Sequence, residues 1–322
     1  MTTRGRFAPT PSGELHLGSA RTALAVRWIA KTTGGTSVLR VEDLDASRLR
    51  PGMTEQLLAD LSWLQTQWDE GPIHGPHAPY FQSQRHALYE HARAQFERDG
   101  LIYPCKCSRK DVADSSRAPH GQDPVYLGTC RGRDPAQVMA EARAAKRGFV
   151  WRFAVQPGEI EVLDLLQGRF GQDVARDVGD FVVFRSDGVA SYQLAVVVDD
   201  IVMEIDHVLR GRDLLASTPR QVLLYRALGA TPPNYAHVGL VLGDGGERLA
   251  KRDGAISLRE LRLQGISGRK LHEALTETLT SAQGELTSRD LSLGQLIADH
   301  PWLRAPIAAI EDLRSSGRLG TD

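Results

Sequence analysis

Two glycine-containing loops, far apart in the chain, combine residue types that suit phosphate chemistry. The first follows an apparent strand, reads RFAPTPSGELHLGS over residues 6–19, and leads into a helix. A helix that begins near Gly18 directs its unpaired backbone N–H groups and the positive end of its dipole at whatever lies above the sheet. Gly18 lets a ligand approach the backbone closely, and His16 can donate a hydrogen bond to a phosphate oxygen. Taken alone, this pattern fits an ordinary strand–helix loop more often than a phosphate site.

The second loop is basic and rich in glycine. Residues 243–246 read GDGG, and residues 248–255 continue with RLAKRDGA. A flexible loop that presents Lys251 can neutralise the charge that spreads over the oxygens of a pentavalent phosphate transition state. Taken alone, the loop is equally typical of a solvated basic segment.

The elements around the first loop predict the fold class. Residues 6–8 read as a short strand that ends at proline, residues 18–31 as a helix buried over most of its circumference, and residues 37–42 as a second strand. The order strand, loop, buried helix, strand is a βαβ unit. The sequence therefore predicts an α/β fold with a Rossmann-type parallel sheet.

Two further elements are predicted from local patterns later in the chain. Leu194 to Val198 is a continuous apolar run that ends at two aspartates, and we predict a buried strand there. Thr218 provides an N-cap, Pro219 occupies the first helical position, and Gln221 can close a capping box. We predict that a helix begins at this point.

The composition of the sequence changes near Leu101, where cysteines, a polar loop and an alanine-rich helical pattern follow one another. We interpret this stretch as an insertion into the main fold, which resumes near the strand pattern at residues 181–185. Four segments are predicted: the first half of the main fold (1–100), the insertion (101–181), the second half of the main fold (182–250), and the lysine loop with a C-terminal helical region (251–322).

The cysteines of the chain fall in one short span of the predicted insertion. Cys105, Cys107 and Cys130 are the three cysteines in the sequence, and an odd, clustered set suits a metal site better than a disulfide framework. Three thiolates favour zinc, but a closed tetrahedral site needs a fourth ligand. His120 is the chemically common choice in this span, and three unligated cysteines are the alternative interpretation.

The totals describe an ordinary soluble globular protein. The chain has 322 residues, 41% apolar residues, 25% charged residues and a net charge of −1. We expect one main domain with insertions or appendages. The net charge argues against tight non-specific binding of nucleic acid but leaves a local basic face possible. With neither a signal segment nor an apolar run long enough to span a bilayer, we expect a cytoplasmic protein without membrane contact.

Together, the two loops resemble the signature loops of the class I aminoacyl-tRNA synthetases. Leu15–Gly18 is similar to the histidine-containing ATP loop, and Leu249–Arg252 is similar to the mobile lysine loop. The resemblance narrows to the glutamyl group, because the pattern of that group recurs in the same order along most of the chain. The matching segments are residues 6–13, 40–48, 191–195, 198–200, 208–211 and 218–221.

The resemblance implies a role for each matching residue. It implies a pocket for L-glutamate lined by Arg6, Ala8, Thr10, Glu42, Tyr192 and Arg210. The arginines would bind the carboxylates, and the glutamate side chain would accept the ammonium group. The implied ATP-binding residues are His16, Gly18 and Lys251, of which His16 and Lys251 would be catalytic and would act on ATP accompanied by Mg²⁺. The insertion would bind an acceptor, and the C-terminal helices would contact a tRNA stem.

Short paralogues of the glutamyl-tRNA synthetases match the chain in further respects. They carry the spacing C-x-C…Y-x-x-x-C, which implies that Tyr126 is the fourth ligand of a structural Zn²⁺. Val196 stands where the charging enzymes have asparagine, and 71 residues follow Lys251, which leaves room for stem-contact helices but not for anticodon-binding domains. The resemblance therefore implies an enzyme that activates glutamate and transfers it to queuosine in the anticodon loop of tRNA(Asp). We expect a monomer, although the sequence carries no signal for the oligomeric state.

Three alternatives stay open at this point. The chain is also compatible with a truncated synthetase that charges a tRNA 3′ end, with a non-catalytic paralogue that binds glutamate or RNA, and with a ligase that couples an amino acid to a small molecule. Arg248 and Ala250 replace the lysine and serine that are common in the family, so the rate of activation is not predicted. The residues that contact RNA are not predicted either.

Overall fold

Strands and helices alternate along most of the chain. The computed structural model describes residues 2–115, 124–243, 256–281 and 284–316. Within these ranges the strands are β1 (Arg4–Phe7), β2 (Thr36–Leu39), β3 (Ile102–Cys105), β4 (Val150–Phe153), β5 (Glu159–Asp164), β6 (Gly168–Asp173), β7 (Phe181–Phe184), β8 (His207–Gly211), β9 (Asn234–Val238), β10 (Val241–Leu242) and β11 (Leu291–Ser292). The α-helices are α1 (Leu17–Thr33), α2 (Met53–Trp63), α3 (His86–Arg98), α4 (Arg109–Ser115), α5 (Pro135–Ala144), α6 (Val174–Asp177), α7 (Tyr192–Val202), α8 (Thr218–Ala227), α9 (Leu258–Leu263), α10 (Gly268–Glu277), α11 (Leu293–Asp299) and α12 (Arg304–Ser315).

The main sheet confirms the predicted α/β fold. Its six strands lie in the order β2-β1-β8-β9-β5-β6, and every neighbouring pair is parallel except the antiparallel pair of β5 and β6. In such a sheet the carboxyl ends of the parallel strands share one edge, where ligands of α/β proteins bind. No helix in the described ranges is long and apolar enough to cross a membrane.

Helix α1 connects β1 to β2 and is buried along most of its length. It ends at Gly34, whose φ of 63° is the left-handed conformation that glycine adopts without strain. Arg21 on this helix is buried, and it donates to the backbone carbonyls of Gly239, Thr278 and Arg289. Burial lowers the pKa of Arg21 to about 10. These contacts attach the C-terminal part of the chain to α1, the helix that begins at the carboxyl edge of the sheet.

A smaller antiparallel sheet has the order β3-β4-β7. The sheet pairing runs across the predicted segment boundaries. Strands β5 and β6 lie within the predicted insertion, yet β5 pairs with β9 of the main sheet, and β7 completes the small sheet at the point where the main fold was expected to resume. The division of the chain at residues 101 and 181 stays a prediction.

The strand predicted at Leu194 to Val198 is wrong, because these residues lie in helix α7. The residues from Leu194 to Asp200 are all buried, so the helix shows no polar face in this stretch. A helix that is apolar on all sides is indistinguishable by periodicity from a buried strand when the apolar run is short. The two aspartates that end the run are buried in the helix and pair with arginines from other elements.

The capping prediction at the start of α8 is also wrong in its details. The helix begins at Thr218 with Pro219 in its first turn, but its N-cap is Ser217, and no side chain caps it. Thr218 Oγ1 and Gln221 Oε1 instead accept hydrogen bonds from Arg210. A buried guanidinium requires acceptors for its N–H groups, and this requirement outweighs a helix cap that backbone and water can replace.

Asp60 on α2 is a buried acid whose carboxylate has one short hydrogen bond. Its burial leads to a prediction about the pH dependence of stability. Its Oδ1 accepts from Gln56 Nε2 at 2.7 Å, whereas Arg262 Nη1 lies 3.8 Å away. Burial raises the pKa of Asp60 to about 6. The folded protein therefore holds this proton more tightly than the unfolded chain does, so stability rises as pH falls from about 6 to about 4 and is lost as pH rises through 6.

We expect Asp60→Asn to raise the free energy of unfolding at pH 8 by about 1 kcal/mol, because asparagine keeps the bond to Gln56 without a buried charge, while its NH₂ group takes the place of Oδ2, which has no partner among the described residues. At pH 5 the gain should shrink, and urea unfolding at both values measures it. The matched control is Asp299→Asn, which alters an exposed aspartate with the same type of bond to a glutamine four residues earlier. An equal gain at both pH values would contradict the assignment to Asp60 ionisation.

Candidate functional site

A cavity of about 320 Å³ opens at the carboxyl ends of β1 and β8. The predicted site residues that line it are Arg6, Ala8, Thr10, His16, Gly18, Glu42, Tyr192 and Arg210. The fold thus brings together every described residue that was predicted to bind glutamate or ATP. Lys251, Arg248 and Ala250 of the predicted lysine loop, and His120 of the predicted metal site, lie outside the described residues.

Arg6 is a cation that lines this cavity, and its side chain forms a buried ion pair with Asp200. Its side chain is 4% exposed, and its Nε lies 3.1 and 3.2 Å from the two carboxylate oxygens of Asp200. Asp200 in turn accepts from Arg40 Nη1 at 2.6 Å. The two terminal nitrogens of Arg6 make no hydrogen bond to another described residue. They are the fork that a carboxylate can bind through two parallel hydrogen bonds.

Glu42 follows β2 and provides the acidic side of the cavity. One of its oxygens accepts from Arg40 Nη2 at 3.3 Å, and its side chain is buried. Burial raises the pKa of Glu42, and the charges of Arg40 and Arg6 oppose this shift without cancelling it. A cation that enters the cavity beside Glu42 would replace the lost hydration of the carboxylate and would stabilise its charged form.

Arg210, near the end of β8, is held by several acceptors at once. Its Nε donates to His237 Nε2 at 2.9 Å, its Nη1 donates to Gln221 Oε1 at 2.8 Å, and its Nη2 donates to Thr218 Oγ1 at 2.9 Å. The side chain is 4% exposed. Arg210 therefore presents a fixed positive charge to the cavity, with fewer uncommitted N–H groups than Arg6.

The N-terminus of α1 opens into the same cavity. His16 is the N-cap residue, with extended backbone dihedrals, and Gly18 lies in the first turn. The chain that follows the predicted lysine loop lies against this turn. Ile256 lines the cavity and its carbonyl accepts from the Leu17 N–H at 3.4 Å, and Leu258 N–H donates to the Leu15 carbonyl at 2.8 Å. The residues that follow the predicted lysine loop in sequence therefore lie at the same site as the first loop.

The three cysteines come together at the small sheet. Their Sγ atoms all lie within 4.8 Å of one another, and the Sγ atoms of Cys107 and Cys130 are 3.7 Å apart. Zn–S bonds of about 2.3 Å in a tetrahedron place two sulfurs about 3.8 Å apart, which this distance matches. A disulfide needs about 2.05 Å. Burial and the neighbouring Cys105 together raise the pKa of the Cys107 thiol to about 12. A bound divalent cation would favour the thiolate form of such a thiol.

Tyr126 is placed to complete this cluster. Its hydroxyl lies 3.3 Å from Cys105 Sγ and accepts from the Cys130 backbone N–H at 2.8 Å. A zinc ion with one oxygen and one sulfur ligand separates the two atoms by about 3.5 Å. The guanidinium carbon of Arg152 lies 3.8 Å from the centre of the Tyr126 ring. The donor set therefore fits a tetrahedral ion, although tyrosine is an uncommon ligand.

A larger groove of about 1220 Å³ meets the cavity at Tyr192 and extends to the cysteine cluster. Its cationic lining residues are Lys106, Arg109, Arg147, Arg152, Arg185 and Arg220. Its acidic lining residues are Asp45, Asp177, Asp180 and Asp187. Three of these cations are paired with acids: Arg185 with Asp45 and Asp187, Lys106 with Glu141, and Arg147 with Asp111. The lining of the groove therefore carries both signs of charge, with two more cations than acids.

Sequence reasoning missed several residues of the site. Arg40 and Asp200 lay within segments that matched the glutamyl group, but no role was predicted for them. Asp164 and His237, which form a buried pair behind Arg210, were not singled out at all. The signal that the sequence offered for this pair was a histidine within a mostly apolar strand. Such a histidine is more often a core residue whose hydrogen bonds are satisfied than part of a binding site.

A comparison with known protein families identifies the class of enzyme to which the chain belongs. It belongs to the family described as tRNA synthetases class I (E and Q), catalytic domain, whose model matches residues 2–285. The chain is therefore a ligase of the class I aminoacyl-tRNA synthetase family, as the sequence resemblance predicted.

Curated relatives and solved structures narrow the comparison. The chain is 52% identical over 269 residues to the Glutamyl-Q tRNA(Asp) synthetase of Symbiobacterium thermophilum, with 82% of each chain covered. It is 44% identical over 313 residues to the protein of the same name from Deinococcus radiodurans, which covers 94% of this chain and 99% of the relative. The crystal structure of the glutamate-tRNA synthetase from Elizabethkingia anophelis superposes with a TM-score of 0.80 at 28% identity, and the match covers 94% of this chain and 71% of that one.

Proposed function

We propose that this enzyme activates L-glutamate with ATP and transfers the glutamyl group to queuosine in the anticodon loop of tRNA(Asp). The observation that supports glutamate activation is that the buried guanidinium of Arg6 and the carboxylate of Glu42 line the same cavity, at the N-terminus of α1. A dicarboxylic amino acid needs cations for its carboxylates and an acceptor for its ammonium group. Arg6 and Arg210 meet the first need, and Glu42 meets the second.

Activation follows from the position of this pocket beside the helix terminus. An oxygen of the glutamate α-carboxylate attacks the α-phosphorus of ATP, the bond to the β-phosphate oxygen breaks, and pyrophosphate leaves. The N–H groups at the start of α1 and the side chain of His16 stabilise the charge that develops on the phosphates. We assign the same role to Lys251, which precedes the cavity-lining Ile256 by five residues. Mg²⁺ bound to the phosphates would neutralise part of their charge.

Transfer requires an acceptor hydroxyl at the mouth of the cavity. A hydroxyl of the cyclopentenediol of queuosine attacks the carbonyl carbon of glutamyl adenylate, an ester bond forms, and AMP leaves. The groove meets the cavity at Tyr192, and its cations suit phosphate contacts. The choice of queuosine rather than a tRNA 3′ end rests on the two relatives named Glutamyl-Q tRNA(Asp) synthetase, which match this chain over most of their own length.

A tRNA 3′ end is the rival acceptor, and the likeness to a glutamate-tRNA synthetase structure favours it. The terminal ribose carries a similar vicinal diol, so one catalytic face can serve either group. A paralogue without activity, and a ligase that uses a small-molecule acceptor, differ from both because neither would label tRNA.

We further propose that Cys105, Cys107, Cys130 and Tyr126 hold a structural Zn²⁺. The sulfur spacing and the nearby hydroxyl support this assignment. The site lies at the small sheet and not at the cavity, so its ligands are expected to hold the fold together and to take no part in the chemistry.

The test is transfer of labelled glutamate, with ATP, onto tRNA from cells that make queuosine and from matched cells that cannot. A parallel reaction uses the queuosine-containing tRNA after removal of its 3′-terminal adenosine. We expect label on both queuosine-containing samples and none on the queuosine-free tRNA. Equal label on the two intact samples, and loss of label after 3′ trimming, would identify a charging enzyme. If no tRNA is labelled, glutamate-dependent pyrophosphate exchange decides whether the protein activates glutamate at all.

A further inference from the structure

The buried pair of Asp164 and His237 lies behind the cavity, and neither residue reaches it. We infer that this pair fixes the orientation of the Arg210 guanidinium, so that Asp164 and His237 are positioning residues for the binding of the substrate carboxylate. The inference rests on the proposed function in one respect, which is that Arg210 binds glutamate.

The three residues lie on three neighbouring strands at the carboxyl edge of the main sheet. Arg210 on β8 is the direct register partner of His237 on β9, and Asp164 ends β5, the next strand. Arg210 Nε donates to His237 Nε2 at 2.9 Å, and His237 Nδ1 lies 2.5 Å from Asp164 Oδ2. The side chains of His237 and Asp164 are fully buried, so water does not compete for these bonds. Hydrogen bonds therefore connect Asp164 on β5 through His237 to Arg210, which lines the cavity.

The direction of the hydrogen bonds fixes the tautomer of His237. Arg210 Nε can only donate, so His237 Nε2 must accept and must carry no hydrogen. The ring hydrogen then lies on Nδ1 and is donated to Asp164, as in sites where a carboxylate orients a functional histidine. Burial lowers the pKa of His237, and the charge of Arg210 acts in the same direction while Asp164 opposes it. A neutral ring with its hydrogen on Nδ1 is the state that satisfies all three residues.

Asp164 is itself held rigidly. Its Oδ1 accepts from the backbone N–H groups of Leu166 at 3.0 Å and Gln167 at 2.8 Å, in the turn after β5. Gln167 also donates through its side chain to the carbonyl of His237 at 2.7 Å. The carboxylate therefore cannot rotate away from the ring without breaking the turn.

The near-isosteric change Asp164→Asn separates positioning from packing. The asparagine oxygen can keep the backbone bonds, but its NH₂ group then faces His237 Nδ1, which must become the acceptor. The ring hydrogen moves to Nε2, where it points at the Arg210 N–H, and two donors cannot face each other. We expect Arg210 to turn away from its present orientation while the core keeps its shape. The matched control is Asp206→Asn, because Asp206 forms an exposed pair with His207 outside the cavity.

The first measurement is the ¹⁵N NMR spectrum of protein labelled in histidine, which reports the tautomer without any substrate. We expect the His237 signals, assigned by their loss in His237→Gln, to show hydrogen on Nδ1 in the wild type and on Nε2 in Asp164→Asn. A wild-type ring that carries hydrogen on Nε2, or that is doubly protonated at pH 7, overturns the inference. This readout holds even if the wild type proves inactive, in which case the proposed function fails separately.

The second measurement is glutamate-dependent pyrophosphate exchange by the same variants. Asp164→Asn should raise the KM for glutamate by about 10- to 100-fold and leave the KM for ATP within about twofold, which is the usual cost of losing an orienting partner. His237→Gln keeps an acceptor for Arg210 and should be affected less than His237→Leu. Equal changes in both KM values, or an unchanged KM for glutamate after the tautomer has switched, would reduce the pair to a structural role and overturn the inference.

Discussion

Replacing Arg6 by lysine is expected to lower kcat/KM for glutamate in pyrophosphate exchange by about 100-fold, and the loss should fall mainly on the KM for glutamate. Arg6 uses its Nε to hold Asp200 and leaves its two terminal nitrogens for the cavity. A lysine has one nitrogen for both tasks and cannot bind a carboxylate through two parallel bonds. Loss of one charge-assisted hydrogen bond costs about 1.5–3 kcal/mol, and each 1.36 kcal/mol is a factor of ten.

The matched control is Arg4→Lys on the same strand. Arg4 forms a bidentate ion pair with Glu70, at 2.7 and 2.6 Å, and does not line the cavity. We expect this variant to keep the wild-type KM for glutamate, so that the comparison isolates the cavity from the general cost of removing an arginine from β1. If both variants lost activity equally, Arg6 would be a structural residue. A loss in Arg6→Lys that appeared only in the KM for ATP would also contradict the assignment.

Removal of the metal is expected to unfold the chain locally around Tyr126 and Cys130, beside the small sheet. The three cysteines bring strand β3 together with the chain around residue 130, and the cluster of buried side chains there is small: it consists of Tyr103, Cys105, Tyr126, Cys130 and Val138. So few apolar contacts contribute little stability by themselves, whereas structural zinc binding contributes about 10 kcal/mol or more in small domains. We expect the purified protein to contain one zinc per chain, and Cys130→Ser to lose it. Hydrogen exchange should then report faster exchange around Tyr126 and Cys130, while β1 and β8 keep their protection.

Tyr126→Phe tests the fourth ligand within the same experiment. If the hydroxyl binds the ion, this variant should weaken zinc binding by about 10- to 100-fold in competition with a chelator. Tyr103→Phe is the matched control, since Tyr103 belongs to the same cluster but its hydroxyl bonds to Asp180. Unchanged affinity in Tyr126→Phe would direct attention to another ligand, such as His120. Protein without stoichiometric zinc would refute the metal site itself.

The sequence was informative where the function depends on short, contiguous segments. The strand, loop and helix from Arg6 to Gly18 were predictable because the loop, the glycine and the start of the helix are determined by local chain geometry. The same holds for the clustered cysteines, whose spacing along the chain limits the kind of site they can form. The family resemblance built on these segments is confirmed by the match over residues 2–285.

Other features depended on contacts between distant parts of the chain, which periodicity does not encode. The apolar run after Tyr192 forms a helix that is buried on all sides, and this burial removes the periodic pattern that would distinguish a helix from a strand. Thr218 and Gln221 do not cap α8, because the buried charge of Arg210 takes their oxygens.

The sequence by itself determined the class of enzyme, and the family resemblance predicted eight of the residues that line its cavity, because these residues belong to short motifs and ligands bind at the carboxyl edge of a parallel sheet. Only the tertiary structure decided how the charges are balanced. Asp200 lies 194 residues from Arg6 along the chain, and Asp164 lies 73 residues from His237. A buried charge is stable only with partners in contact. The packing of strands and helices determines which residues are the partners of Arg6 and His237.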